Sequence, residues 1–236
     1  MQIASSLHRV GNDLIAAYLV EDETGVTVID AGLAGLWPGF LEELRAMGRT
    51  VDDVRGVILT HGDSDHVGFA ERLRRDHGVP VFVHDEDAAR ARGEVKTSPS
   101  WGRMRFGATL GFLWYSVRKG GLRTTWLGEV VPVRDGQVLD LPGSPRIVAM
   151  PGHSPGSIAV FVPRVDAVFV GDALTTRHVL TGDKGPQPAP FTDDPAEALA
   201  TLDRLVTAAP ATWVLPGHGY PYDGGVAAAV AQVLER

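Results

Sequence analysis

Two histidines and two aspartates fall within six residues of this sequence, at His61, Asp63, Asp65 and His66. A short apolar run precedes them and an amphipathic pattern follows them, which predicts a strand, a tight loop and a helix. Imidazole nitrogens and carboxylate oxygens both bind divalent cations. A solvated polar turn would use the same residue types, but this spacing between a strand and a helix favours a metal site.

Three more residues of the same kind occur at the ends of later predicted strands. They are His153, Asp172 and His218, and each directly follows a glycine. Glycine allows the backbone to turn sharply and to carry the next side chain over the edge of a sheet. Each residue alone is weak evidence, because a lone histidine in such a loop is more often a hydrogen-bonded turn residue. Their shared context predicts that they join the 61–66 loop in one site.

Alternating strand and helix patterns must position these residues. Two or three strands are predicted between residues 7 and 34, including 14–20 and 26–29. Later strands are predicted at 54–60, 79–84, 130–133, 137–141, 146–150, 157–162, 167–170 and 213–215. Helices are predicted at about 38–47, 67–77, 85–92 and 196–206 and at the end of the chain, with a Pro- and Gly-rich loop at 181–195. We therefore expect one α/β domain over residues 1–236.

The composition changes between residues 94 and 128. Six of the seventeen aromatic residues lie there, mixed with arginines and lysines. The segment is either a packed surface excursion or a lid or pocket wall that contacts a substrate. Tyr115 within it, together with His178 and Tyr220 elsewhere, are candidate substrate contacts.

The overall composition excludes several classes of function. A net charge of −7 argues against a nucleic-acid-binding surface, which needs clustered Lys and Arg. Cysteine is absent, so no thiolate can serve as ligand or nucleophile. No apolar run approaches the roughly 18 residues that span a bilayer, and the first residues do not resemble a signal peptide. We expect a cytoplasmic protein without a membrane partner.

With these residues in view, nearly the whole chain resembles the metallo-β-lactamase-fold hydrolases, a superfamily that includes hydroxyacylglutathione hydrolases, lactonases and β-lactamases. Its signature is His-x-His-x-Asp-His, followed downstream by single His, Asp and His ligands. The matching residues here are His61, Asp63, Asp65, His66, His153, Asp172 and His218. The resemblance implies a four-layer αββα sandwich with metals at one end of its two sheets.

The same resemblance implies a role for each matching residue. Two divalent ions are expected, with zinc preferred and iron or manganese as alternatives. One ion would be bound by His61, Asp63 and His153, the other by Asp65, His66 and His218, with Asp172 bridging them. Asp65 could also orient the nucleophile as a catalytic residue. Asp30 would accept a hydrogen bond from a ligand imidazole, although it could equally be a simple turn residue at a strand end.

Asp63 departs from the family pattern, because it stands where the second histidine of the signature is expected. A carboxylate still binds a divalent cation. The extra negative charge would hold the metals more tightly and weaken their Lewis acidity. It also favours harder ions, and flavodiiron proteins of the superfamily carry a Glu at this place. Alternatively, Asp63 points away and only one metal binds well.

The predicted function is hydrolysis of an ester, thioester, lactone or related acyl bond in a small molecule by a metal-bridging hydroxide. One alternative is a di-iron redox enzyme related to flavodiiron proteins. Another is a non-catalytic, metal-stabilised binding protein. A homodimer that buries the aromatic residues of 94–128 is a further expectation.

Overall fold

Two β-sheets form the centre of the computed structural model, which describes residues 1–95 and 101–235. The first sheet has seven strands in sequential order. They are β1 (Gln2–Ala4), β2 (Leu7–Gly11), β3 (Ala16–Asp22), β4 (Gly25–Ile29), β5 (Val54–Ile58), β6 (Val81–His84) and β7 (Val131–Val133). The acidic turn at 21–25 joins β3 and β4 as an antiparallel hairpin, as predicted.

The second sheet has four strands in the order β13, β10, β9 and β8. These strands are β8 (Arg146–Ala149), β9 (Ile158–Val162), β10 (Ala167–Gly171) and β13 (Trp213–Pro216). A separate two-stranded ribbon consists of β11 (Thr175–Arg177) and β12 (Lys184–Gln187). Because β10 and β13 run parallel, their carboxyl ends lie at the same edge.

Alternating side chains bury both faces of the strands. In β3, Tyr18 and Val20 pack between the two sheets, against residues such as Val160 and Phe169. Leu19 points to the opposite face, where it packs with the first helices. This period of two is the pattern that a strand buried on both sides requires.

Helices cover the outer face of each sheet. On the first sheet lie α1 (Trp37–Ala46) and α2 (Ala70–His77). On the second lie α6 (Asp203–Ala208) and α7 (Val226–Leu234), and α5 (Pro195–Thr201) directly precedes α6. The remaining helices of the described residues are α3 (Ala88–Ala91) and α4 (Phe106–Arg118). The result is the four-layer αββα sandwich that the sequence predicted. Among the described residues, no helix is long and apolar enough to cross a membrane.

A few predicted elements were wrong. Residues 137–141 form no strand, only an isolated bridge from Val138 to Arg146, because the chain turns at Gly143 with φ 84°. The helix predicted at 196–206 is divided at Leu202 into α5 and α6. The loop predicted at 181–195 contains β12. The weak periodicity of 94–128 conceals the thirteen-residue helix α4, and residues 96–100 of that segment lie outside the described residues.

Candidate metal centre

The structure brings the seven predicted ligands together at one end of the two sheets. They lie on loops that directly follow four strands, β5, β8, β10 and β13. Their ligand atoms form three groups, and within each group all atoms lie within 4.8 Å of one another. The groups are His61, Asp63 and His153; Asp65, His66 and His218; and His61, His66 and Asp172.

Four atoms of this cluster are buried without a hydrogen-bond partner. They are the Nε2 atoms of His61, His66 and His153 and the Oδ1 atom of Asp172. The large majority of buried side-chain polar atoms in proteins have a hydrogen-bond partner. A bound cation would satisfy all four atoms, and a set of imidazole and carboxylate donors fits zinc, iron or manganese.

Gly217 provides the space in which these side chains approach one another. A Cβ atom at this position would lie 2.4 Å from Cε1 of His66 and 2.7 Å from Oδ1 of Asp172. Any larger residue would therefore displace two of the candidate ligands. The glycine before His218 serves this close approach.

Asp30 contacts the imidazole of His66 at Nδ1, the ring nitrogen that faces away from the ligand cluster. Its Oδ2 atom lies 2.9 Å from Nδ1 of His66, and its Oδ1 atom accepts a hydrogen bond of 2.8 Å from the backbone N–H of Thr60. Asp30 is buried and has a φ of 58°, a left-handed conformation that Asp tolerates better than most residues. The carboxylate thus has the position that the family resemblance implied.

The other three imidazoles are also held through Nδ1. Their partners are the carbonyl oxygen of Leu14 for His218, Oγ1 of Thr192 at 3.2 Å for His153, and Oγ1 of Thr60 at 3.0 Å for His61. Contacts of this kind fix the ring orientation of metal-binding histidines and leave Nε2 free for the metal. The Nε2 atoms all face the common site.

The charges within the cluster are strongly coupled. Burial lowers the pKa of His66, but Asp30 outweighs it and raises that pKa to about 10. Burial likewise lowers the pKa of His218, and Asp172 raises it to about 9. Despite its burial, the pKa of Asp172 is held well below the usual range, chiefly by His218. Burial and neighbouring imidazoles hold the pKa of His61 well below its ordinary value.

Asp63 faces both the cluster and a buried arginine. Its Oδ2 atom lies 3.4 Å from Nε2 of His153 and 3.6 Å from Nε2 of His61. Its two oxygens also accept hydrogen bonds from Arg90, at 2.6 Å from Nε and 3.0 Å from Nη2. Burial would raise the pKa of Asp63, but His153, His61 and Arg90 hold it far below the usual range. Asp63 therefore points toward the cluster and is ionised.

Asp87 connects two of the ligand-bearing loops. Its Oδ2 atom accepts hydrogen bonds from the backbone N–H of Gly62 at 2.7 Å and from Oγ of Ser154 at 2.8 Å. Its Oδ1 atom accepts a hydrogen bond of 2.9 Å from the N–H of Gly156. The carboxylate is fully buried, so it fixes the loop of His61 against the loop of His153.

Arg90 and Asp87 were not predicted as functional residues. The sequence indicated only a short helix at 85–92, and neither residue lies in a ligand-like pattern. Both are at least nine-tenths buried, yet their partners are far away in the sequence. One sequence signal was available. Asp87 and Arg90 are three positions apart, so they share one face of the predicted helix, and the positions between them are alanines.

The three residues predicted as substrate contacts, His178, Tyr115 and Tyr220, differ in their surroundings. His178 is half-buried, and burial and Arg103 lower its pKa. Tyr115 lies on the inner side of α4, whose Phe112 ring lies 6.1 Å from the ring of His218 in an edge-on arrangement. For Tyr220, the structure shows a contact of the carbonyl oxygen, with Oγ1 of Thr176 at 2.7 Å. None of the three is a candidate metal ligand.

Helix α4 is apolar on both of its faces. Phe112 is buried against the metal-centre side, whereas Phe106 and Trp114 are 85% and 61% exposed on the outer side. Leu110 and Val117 continue the outer stripe at helical spacing. Helix α4 thus faces His218 through Phe112 and also presents an apolar outer surface.

A family model described as the metallo-beta-lactamase superfamily matches residues 10–218. The chain belongs to this superfamily. Its similarity to the probable metallo-hydrolase YflN of Bacillus subtilis is 26% identity over 237 residues, which cover 94% of this chain and 87% of that protein. Hydroxyacylglutathione hydrolase GloC of Haemophilus influenzae is 27% identical over 157 residues, covering 65% of this chain and 63% of that protein.

Solved structures of the superfamily have the same fold. The metallo-beta-lactamase family protein TTHA1429 from Thermus thermophilus superposes with a TM-score of 0.71 at 23% identity, covering 98% of this chain and 79% of that one. TTHA1623, solved in a di-iron-bound form, superposes with a TM-score of 0.62 at 29% identity, covering 92% and 93% of the two chains. The superfamily binds metal ions, and the His and Asp cluster described above is the place in this chain that could hold them.

Proposed function

We propose that this protein is a metal-dependent hydrolase that cleaves an ester, thioester, lactone or related acyl bond in a small molecule. The observation that carries the proposal is the convergence of four buried, unpartnered ligand atoms at one point, on His61, His66, His153 and Asp172. Purely structural histidines would have partners for these atoms. The names of the relatives YflN and GloC support a hydrolase of this broad class.

Seven residues would hold two divalent ions in this proposal. His61, Asp63 and His153 would bind one ion, Asp65, His66 and His218 the other, and Asp172 would bridge them. Zinc is the first choice, with iron or manganese as alternatives. When bound, the ions would supply an activated water and polarise the carbonyl of the substrate.

The protein's own residues would orient this chemistry. Asp65 is partly exposed, and its Oδ2 atom lies 3.5 Å from Nε2 of His218. It can therefore accept a hydrogen bond from the attacking water and fix its direction, as a catalytic residue. Asp30 and Asp87 would act as positioning residues, because they hold His66 and the ligand-bearing loops. Phe112 would help to exclude bulk water above His218.

The test is a panel of esters, thioesters and lactones, assayed before and after removal of metal with a chelator. We expect turnover that disappears on chelation and returns with added metal. His66→Ala and Asp172→Ala should each lose activity and about one metal equivalent, whereas His84→Ala, outside the cluster, should lose neither. Full turnover by chelated, metal-free protein would exclude the proposal, and absence of metal-dependent turnover would favour a non-catalytic binding protein.

A di-iron redox enzyme is the second candidate, and the carboxylate at Asp63 motivates it. The di-iron form of TTHA1623 shows that iron enters this fold. Elemental analysis after expression without metal supplementation would separate the two candidates. Zinc without iron, together with acyl hydrolysis, would exclude the redox enzyme.

A further inference from the structure

A cavity of about 510 Å³ lies beside the candidate metal centre. We refer to it as the 188–199 cavity, because most of its lining comes from that part of the chain. Two lining residues connect it to the centre: Ala173 directly follows Asp172, and Oγ1 of Thr192 lies 3.2 Å from Nδ1 of His153. Its volume is in the range of about 300–1,000 Å³ that small-molecule sites occupy.

The lining of this cavity is mainly apolar. Three prolines, three alanines, Phe191, Leu199 and Trp101 contribute to it. The rings of Trp101 and Phe191 meet edge to face with centroids 5.4 Å apart. Trp101 and Leu199 are still 42% and 39% exposed. A ligand in the cavity would cover this apolar surface, and such burial is favourable.

The lining carries no positive charge among the residues that the structure describes. Its single carboxylate, on Asp193, is paired with Arg90, whose Nη1 atom lies 2.6 Å from Oδ2. Burial and Arg103 lower the pKa of His178, which favours its neutral form. Among the lining residues, an anionic group would therefore meet a carboxylate and no cation, since Arg103 lies outside the lining. An uncharged apolar group would give up no ionic hydration on entry.

The cavity is preformed by backbone contacts with the metal-centre loops. The N–H groups of Asp193 and Asp194 donate to the carbonyls of His153 and Gly152 at 3.1 and 2.8 Å. Phe191 has a φ of 62°, a strained conformation for an aromatic residue. The loop thus holds an aromatic ring in the lining at a conformational cost, which is the pattern of a binding site.

We propose that the 188–199 cavity binds an uncharged, apolar arm of the substrate and thereby selects acyl compounds that carry an alkyl or aryl group. This inference rests on the proposed hydrolase function for its substrate, but the cavity's preference can be measured by binding alone. The contact of Thr192 with His153 and the position of Ala173 directly after Asp172 would place the scissile group at the metal centre.

The binding experiment uses acetamide, butanamide and octanamide, which are uncharged, and the octanoate anion. Calorimetry on the protein with its native metal should show affinity that rises with chain length, by up to about fourfold for each methylene group buried. The carboxylate of octanoate can also bind the metal, and the affinity of acetate measures that contribution. Once it is subtracted, octanamide should bind more tightly than octanoate at neutral pH.

Two variants locate this binding. Leu199→Ser removes apolar surface from the rim, and Val206→Ser is the matched control, since Val206 is similarly exposed at 37% but lies outside the lining. Phe191→Asn keeps a residue that tolerates positive φ while it removes the ring. We expect several-fold weaker octanamide binding in both cavity variants, unchanged acetamide binding, and wild-type behaviour of Val206→Ser.

The kinetic experiment compares acetyl, butyryl and octanoyl esters of one alcohol, and then acetates of alcohols of increasing chain length. KM should fall with chain length in one of the two series, and Leu199→Ser should remove that trend. Chain-length-dependent binding without turnover of any ester would refute the hydrolase and retain the cavity. Turnover would overturn the cavity proposal if neither the binding affinity nor KM depended on chain length. The proposal would also fail if octanoate bound more tightly than octanamide by a larger factor than acetate binds more tightly than acetamide.

Discussion

Arg90 and Asp63 form a bidentate ion pair at the edge of the candidate metal centre. The two hydrogen bonds measure 2.6 and 3.0 Å, and Arg90 is 5% exposed. A carboxylate oxygen has two lone pairs, so Oδ2 of Asp63 can face a cation and still accept from Arg90. Arg90 also binds Asp193, so its single positive charge offsets part of the negative charge that Asp63 adds in place of a histidine.

This charge compensation predicts a specific double-mutant cycle. Asp63→His restores the usual ligand type but leaves the Arg90 cation beside the metals with Asp193 as its remaining carboxylate partner. We expect metal affinity at that position to fall at least about tenfold, because two like charges separated by a few ångströms repel strongly in a partly buried site. Asp63→His with Arg90→Gln should recover most of the affinity. Competition with a chelator, followed by elemental analysis, measures both.

The same cycle can fail in a recognisable way. If Asp63 binds no metal, Asp63→His should either add a ligand or change nothing. The change in metal affinity of the double variant would then equal the sum of the changes in the two single variants, and no recovery would be seen. Additivity of this kind would show that Arg90 and Asp63 are not coupled through a metal.

Arg90→Gln should also destabilise the metal-free protein. The substitution leaves Asp63 and Asp193 without their cation, and breaking a buried ion pair costs about 3 kcal/mol or more. Arg92→Gln is the matched control, because Arg92 makes a comparable two-bond contact with the exposed Glu94. That exposed pair is screened by solvent and should contribute far less to stability. Urea unfolding of chelated protein measures both, and equal effects would contradict the structural role of Arg90.

The metal-free protein should lose stability as the pH rises above neutrality. The pKa of His66 is raised to about 10, by Asp30 against the opposing effect of burial, and that of His218 to about 9, by Asp172. An unfolded imidazole titrates near 6.5. Since the folded state binds these protons more tightly, their contribution is complete below about pH 6.5 and is lost as the pH rises through about 9 and 10.

Urea midpoints between about pH 6.5 and 10 test this dependence. The midpoint of the chelated wild type should fall across the window, and Asp30→Asn should show a shallower fall because the carboxylate that holds the His66 proton is gone. A midpoint that rises with pH in the wild type would refute the assignment. The metal-loaded protein should not show the same fall, because the metals replace those protons.

Much of the candidate site could be predicted because its residues follow a local rule. His153, Asp172 and His218 each follow a glycine at the end of a strand, and parallel neighbours such as β10 and β13 end at the same edge. The strands and helices could be predicted for the same reason, since alternating and helical apolar patterns are local, whereas the four-layer order was implied by the family resemblance. These signals require no knowledge of which distant residues touch.

The missed features depend on contacts between distant residues. Arg90 reaches Asp63 and Asp193, which are 27 and 103 positions away, and Asp87 bonds to Ser154 across 67 positions. The three-residue spacing places Asp87 and Arg90 on one helical face, but nothing in the pattern at 85–92 identifies their distant partners. The 188–199 cavity likewise depends on how a Pro-rich loop folds against the metal-centre loops.

Asp30→Asn should weaken metal binding without unfolding the protein. The amide keeps the backbone hydrogen bond to Thr60 and tolerates the φ of 58°, but it loses the charge that orients and polarises His66. Substitutions behind a metal ligand cost about 10–100-fold in metal affinity or activity. Asp166→Asn is the matched control, because Asp166 also has positive φ, at 49°, and accepts a backbone N–H from Thr212 far from the site. Chelator competition should show the loss only in Asp30→Asn, and equal affinity in the two variants would mean that Asp30 is a turn residue and no more.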